Sequence, residues 1–126
     1  MPLLRKSQKA RVITVSSIAH MFGKIHFENI NFRNIYDPRA AYGQSKLANI
    51  LFTRELAKRL GPQSNIKAYC LHPGLIRTDL WRYAFTKPIV RFIYERILIS
   101  PEMGAQTSLF CALEESLENE TGYYYS

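Results

Sequence analysis

The sequence predicts an α/β fold of about three parallel strands with flanking helices. Three observations carry that prediction. Short β-branched or apolar runs at Arg11–Val15 and Ile66–Leu71 are each followed by turn residues. Longer stretches of helical periodicity separate them, at about residues 39–60 and from Pro101 onward. A closing Gly122-Tyr123-Tyr124-Tyr125 reads as a third strand. Strand, helix, strand, helix, strand is the βαβαβ order of a parallel sheet with helices on both faces, half of a doubly wound nucleotide-binding fold.

Arg11-Val12-Ile13-Thr14-Val15 is near-continuously apolar at strand length, which suits a buried parallel strand, and it ends at Ser16-Ser17. From Ile18 to Pro38 the turn formers Gly23, Asn29, Asn31, Asn34, Asp37 and Pro38 predict a long functional loop, with a short extended piece at Lys24–Phe27. Residues 39–60 form the clearest helix. Leu47, Ile50, Leu51, Leu56 and Leu60 recur at helical steps, Arg54, Lys58 and Arg59 suit the negative end of the helix dipole, and Gly61-Pro62 stops it. The second strand ends at His72-Pro73-Gly74. Two amphipathic pieces flank Lys87-Pro88, and Pro101 opens a helix predicted to run to about Leu117.

Composition excludes several classes. Of the 126 residues, 47% are hydrophobic and 21% charged, so this is no disordered polyelectrolyte. Cys70 and Cys111 are too few for a disulfide framework or a structural zinc site. No apolar run reaches the length of a membrane span, and MPLLRKSQKA lacks the apolar core of a secretory signal. These features predict a soluble, intracellular chain. The net charge of +7 hides an asymmetry: all 17 basic residues lie in residues 1–100, and residues 101–126 carry five acidic ones. The cations are spread out, with no base-reading motif, so no nucleic-acid partner is expected.

Tyr42-Gly43-Gln44-Ser45-Lys46 sets a phenol and an ammonium one helical turn apart, on one face. A free phenol titrates too high to act readily at neutral pH, and a nearby cation favours its ionised form. The pair is therefore a candidate proton-transfer device. Alone the spacing is weak. It gains weight because Val15-Ser16-Ser17 and Pro73-Gly74-Leu75-Ile76-Arg77-Thr78 follow the two strands, at the carboxyl edge where open α/β sheets bind ligands.

On these motifs the chain resembles the short-chain dehydrogenases/reductases, and within them the retinol dehydrogenase-like group. The residues that carry the resemblance are RVITVSSIAH (11–20), AYGQSKLANILFTRELAKRL (41–60), HPGLIRTDL (72–80), SPEMGAQT (100–107) and TGYYYS (121–126). The resemblance implies the C-terminal part of a doubly wound Rossmann-type fold and an NAD(P)-dependent oxidoreductase that interconverts an alcohol and its carbonyl. It implies Tyr42 as acid/base, Lys46 as the lysine that assists it and holds the nicotinamide ribose, and Ser17 as donor to the substrate oxygen. Ser16 is the weaker candidate, because successive strand residues face opposite ways. Pro73, Gly74, Ile76 and Thr78 match the loop that holds the nicotinamide end of the cofactor. That cofactor is NADP or NAD, with NADP slightly favoured.

No glycine-rich phosphate loop occurs in the sequence. Residues 1–126 are thus expected to be an incomplete domain without its N-terminal dinucleotide-phosphate-binding half, and only Pro2–Lys6 resembles the tail of the preceding helix. An inactive fragment acting through protein contacts is the alternative. The implied substrate is a small lipophilic alcohol or carbonyl. Residues 81–99, with Trp81, Phe85, Phe92, Arg82, Lys87 and Arg91, are a candidate membrane-surface contact or substrate lid, and helix 39–60 is a candidate dimer face. The expected location is cytoplasmic or peripheral at an internal membrane. His72, His20 and His26 fit no metal-ligand spacing, and Cys70 and Cys111 read as core residues.

Overall fold

The structure, a computed structural model, describes residues 1–76 and 98–126. A short helix α1 (Pro2–Lys6) leads into β1 (Ala10–Val15); then come α2 (Pro38–Leu60), β2 (Ile66–Leu71), α3 (Pro101–Leu113) and β3 (Tyr124–Tyr125). The three strands form one parallel sheet in the order β1-β2-β3. The register pairs Ala10 with Ile66 and Val15 with Leu71, and Cys70 with Tyr124. The predicted α/β architecture is therefore present. No described helix is long and apolar enough to cross a membrane.

β2 is the central strand, and its alternating side chains serve two layers. Tyr69 and Leu71 pack with Cys111 and Leu117, and the Tyr69 hydroxyl donates to Leu117 O at 2.7 Å. On the opposite face Cys70 meets the buried Thr53 of α2. Helices thus cover both faces, which is why β2 is apolar without alternation. Burial pushes both the Cys70 and the Cys111 thiol up from the ordinary value.

Three elements differ from the sequence reading. The predicted extended piece at Lys24–Phe27 is absent. Two 3-10 turns, Ile18–Phe22 and Phe27–Asn29, occupy the long loop instead. The buried Gln44 organises that loop: its amide oxygen accepts from His26 N at 2.8 Å, and its amide nitrogen donates to Ile30 O at 2.8 Å. These bonds satisfy backbone groups that a strand would have paired.

α3 stops at Leu113 rather than Leu117. The Arg11 guanidinium reaches across from β1 and donates to Cys111 O at 2.9 Å and Glu114 O at 2.7 Å, so a distant side chain caps the helix end. Residues Glu115–Asn119 then form a 3-10 turn that delivers Leu117 to the core. The last strand shrinks to Tyr124–Tyr125, because Gly122 takes a positive φ of 81°. On α2, the buried positions are Gly43, Gln44, Thr53 and Ala57, while Leu51 is exposed. Small and polar residues form the seam against the sheet, and Leu47, Ile50, Leu56 and Leu60 lie half-buried along its flanks.

Candidate active site

The site starts where β1 ends. Ser16 N still donates to Leu71 O at 2.7 Å, which extends the ladder by one residue. The Ser16 hydroxyl is buried and donates to Lys46 O at 2.7 Å, so it ties the strand to α2. Ser17 does the other job. Its Oγ accepts from Ala19 N at 3.3 Å and caps the first 3-10 turn, while the residue lines a cavity of about 710 Å³. His20 secures the turn: its backbone N and its Nδ1 both reach Ser17 O, at 3.0 and 2.7 Å. A carbonyl only accepts, so Nδ1 carries the proton.

Asp37 starts α2. Its carboxylate accepts from Arg39 N at 2.8 Å and Ala40 N at 3.2 Å, with Pro38 in the first turn. The helix then presents Tyr42, 41% exposed, and Lys46 one turn later. Lys46 Nζ lies 5.5 Å from the Tyr42 ring centroid and donates to Val15 O at 3.2 Å. Asn49 Nδ2 donates to the same carbonyl at 3.0 Å.

The Ser17 turn and the Tyr42 helix meet backbone to backbone. A Cβ on Gly23 would lie 2.3 Å from Gly43 O, and one on Gly43 would lie 3.1 Å from Ala19 O. Neither glycine can carry a side chain without a shift of main chain.

The third wall follows β2. His72 N donates to Tyr125 O at 2.8 Å, and Gly74 turns the chain with φ 84°. Ile76 pairs with Ile99 across an isolated parallel bridge. A Cβ on Gly104 would sit 2.3 Å from Ile76 Cδ1, so that glycine makes room for Ile76 on α3. Among the described residues His72 Nδ1 is buried without a hydrogen-bond partner. Burial, and then the charge of His20, holds His72 below the ordinary imidazole range.

Ser17, Tyr42, Lys46, Pro73, Gly74 and Ile76 all line the one cavity, together with Ile18, Phe22 and Leu75. The predicted Thr78 and most of the predicted lid, 81–97 of 81–99, lie outside the described residues. The sequence reading missed Asn49, Gln44, Gly23 and the strand-tying role of Ser16. Asn49 had a signal: an asparagine is a poor helix-interior residue, and it shares a helix face with Lys46 three positions earlier. Gln44 and Gly23 had none, since their partners lie 14 to 20 residues away.

The cavity has the size and mainly apolar lining of a small-molecule site. Its polar groups are few and convergent. Pro73, Gly74 and Ile76 on one wall and Tyr42 and Lys46 on the other could hold the nicotinamide end of a dinucleotide. The sequence offers no glycine-rich loop for its phosphates.

Comparison with known proteins follows the same residues. The short chain dehydrogenase family matches residues 1–88. Retinol dehydrogenase 11 of Mus musculus is 43% identical over 126 residues, covering 98% of this chain and 39% of that protein. Retinol dehydrogenase 12 of Mus musculus is 45% identical over 123 residues, with the same coverage. The chain thus spans about two fifths of the length of the curated relatives it matches. Among solved structures, an uncharacterized protein from Mycobacterium paratuberculosis aligns with TM-score 0.65 and 36% identity, over 92% of this chain and 37% of that one. A 7α-hydroxysteroid dehydrogenase solved with NADH and 7-oxo glycochenodeoxycholic acid shares the fold, with TM-score 0.66 and 21% identity over 98% of this chain and 45% of that one. Because the family match runs through both strand ends and the whole of the Tyr42 helix, the chain belongs to the short-chain dehydrogenase family, and its relatives there include retinol dehydrogenases.

Proposed function

We propose that these residues form the catalytic part of an NAD(P)-dependent oxidoreductase that interconverts a lipophilic alcohol and its carbonyl. The observation that carries the reading is the meeting of Ser17, Tyr42, Lys46 and the Pro73–Gly74–Ile76 loop on one largely apolar cavity. The names of the retinol dehydrogenase relatives support the substrate class. The half that would bind the dinucleotide phosphates lies outside these residues.

The bound nicotinamide supplies or accepts the hydride. In the reducing direction the Tyr42 hydroxyl gives its proton to the carbonyl oxygen, and Ser17 Oγ donates a hydrogen bond to that oxygen as negative charge develops on it. The Lys46 ammonium sits beside the Tyr42 ring, where a cation favours the phenolate left after transfer. Ile18, Phe22 and Leu75 keep the site apolar. The cofactor is NADP or NAD, with NADP slightly favoured by the resemblance; α2 is a candidate dimer face, and the location is cytoplasmic or peripheral at an internal membrane.

The test joins these 126 residues to an N-terminal half that carries a glycine-rich phosphate loop. Retinal reduction is then assayed with NADPH and with NADH. Tyr42→Phe should cut turnover by roughly 10²–10⁴-fold while the fold persists. Turnover within a few-fold of the parent would remove Tyr42 from the acid/base role.

A further inference from the structure

One backbone carbonyl at the end of β1 takes two side chains of α2. Ala10 N donates to Asn65 O and Ser16 N to Leu71 O, so the even-numbered residues of β1 turn their backbone groups towards β2. Val15 is out of phase with them, and its carbonyl faces away from that partner strand. Among the described residues its donors are Asn49 Nδ2 at 3.0 Å and Lys46 Nζ at 3.2 Å. A carbonyl has two lone pairs, so the two bonds coexist.

The donors are not equivalent. The amide bond has the commonest N–H···O length, and the ammonium bond lies at the long end of the range. Asn49 reaches Val15 O on a short side chain, from a turn of helix whose carbonyl accepts from the buried Thr53 hydroxyl at 2.9 Å. Lys46 reaches it on a flexible four-carbon stem. Their other duties differ too. Under the reading given above, the Lys46 ammonium serves Tyr42 and the nicotinamide ribose. Were Lys46 the sole donor, turning to the ribose would strand the Val15 carbonyl, which is costly. Asn49 is absent from the cavity lining and has no such second duty.

We propose that Asn49 is a positioning residue: its amide keeps Val15 O bonded, so that the Lys46 ammonium is free to leave that carbonyl and meet the ribose hydroxyls. Asn49 thus acts through Lys46. The proposal rests on the functional reading of Lys46, and the test separates the two.

That test uses the 126 residues joined to an N-terminal half with a glycine-rich phosphate loop, and it measures NADPH binding by titration calorimetry beside the kinetics. Asn49→Leu removes the donor at similar size. It should weaken NADPH binding about tenfold, the scale of one stranded carbonyl, while kcat at saturating NADPH changes less than about threefold. Asn49→Gln keeps an amide donor and should recover most of the affinity. The isosteric Asn49→Asp, which lacks the donor, should weaken binding at least as much as leucine and carries the same test if the leucine variant does not fold. In a Lys46→Met background Asn49→Leu should have no further effect on NADPH affinity, because no ammonium remains to be released.

NADPH binding within about twofold of the parent in both donorless variants would show that Val15 O has another donor, and would overturn the proposal. So would effects of Asn49→Leu and Lys46→Met that add, since a merely structural asparagine does not depend on Lys46. Lys46→Met with the turnover and affinity of the parent would instead refute the reading of Lys46, and the proposal with it.

Discussion

Gly23 and Gly43 fix how closely the Ser17 turn approaches Tyr42. The Cβ of an alanine at position 23 would meet Gly43 O at 2.3 Å and Gly43 C at 2.7 Å, and both atoms are backbone. Main chain cannot rotate aside, so the turn must lift off the helix. Gly23→Ala should therefore destabilise the chain by about 1–3 kcal/mol, the range of an overpacked contact, as read from urea denaturation. Unchanged stability would mean that the turn relocates freely. At this scale the sequence was informative about chemistry and silent about support. Tyr42 and Lys46 stand out by their spacing of one helical turn and Ser17 by the family resemblance, and the three line one cavity. Gln44 and Gly23 do not stand out, because nothing local distinguishes a glutamine that organises a loop from one in solvent.

At the scale of elements, local pattern located β1, β2, β3, α2 and α3 but not every end. β2 runs from Ile66 to Leu71 as its apolar run predicts. α2 starts at the Asp37-Pro38 signal, one residue ahead of the reading. α3 shows what pattern cannot supply. Its helical periodicity continues towards Leu117, yet Arg11, a hundred residues earlier, takes the carbonyls of Cys111 and Glu114 and ends it. Arg11 also lies over the Tyr69 ring, 5.8 Å from its centroid. Replacing it by methionine keeps the aliphatic stem but leaves two carbonyls without their charged donor. Arg11→Met should cost about 1.5–3 kcal/mol, and Arg11→Lys should recover part of that loss. A methionine variant as stable as the parent in chemical denaturation would show that water caps α3 equally well. The leucine periodicity of α2 has a related limit: where a helix lies close to a sheet, small residues mark the contact and leucines lie along the flanks.

At the scale of the whole molecule, titration sets a stability window. His72 is held below the ordinary 6.5 by burial first and His20 second. A base with a depressed folded pKa is protonated more readily in the unfolded chain, so its contribution is present above about pH 6.5 and is lost as pH falls through the folded value. Cys70 and Cys111 are raised above the ordinary 9.0 by burial, and Tyr69 and Tyr124 above 10.0 by the same cause. Acids raised in this way contribute stability below their unfolded values and lose it as pH rises through the folded ones. The urea midpoint should therefore be flat between about pH 6.5 and 9 and fall on both sides. His72→Gln should flatten the first part of the acid limb. A parent midpoint that stays level down to the carboxylate range would refute the role of His72. The parallel sheet and its two helical layers were legible at this scale, because three strand signals separated by helical periods admit few topologies. The cavity was legible only as an edge, since its volume depends on how far α2 and the Pro73–Ile76 loop stand apart.

The glycine contact has one more consequence. Spacing between the Ser17 turn and the Tyr42 helix is set by main chain touching main chain, with no side chain as a spacer. The gap between the two elements therefore does not depend on the side chains that line it: a change at Phe22 alters the apolar character of the cavity wall while Ser17 and Tyr42 keep their separation.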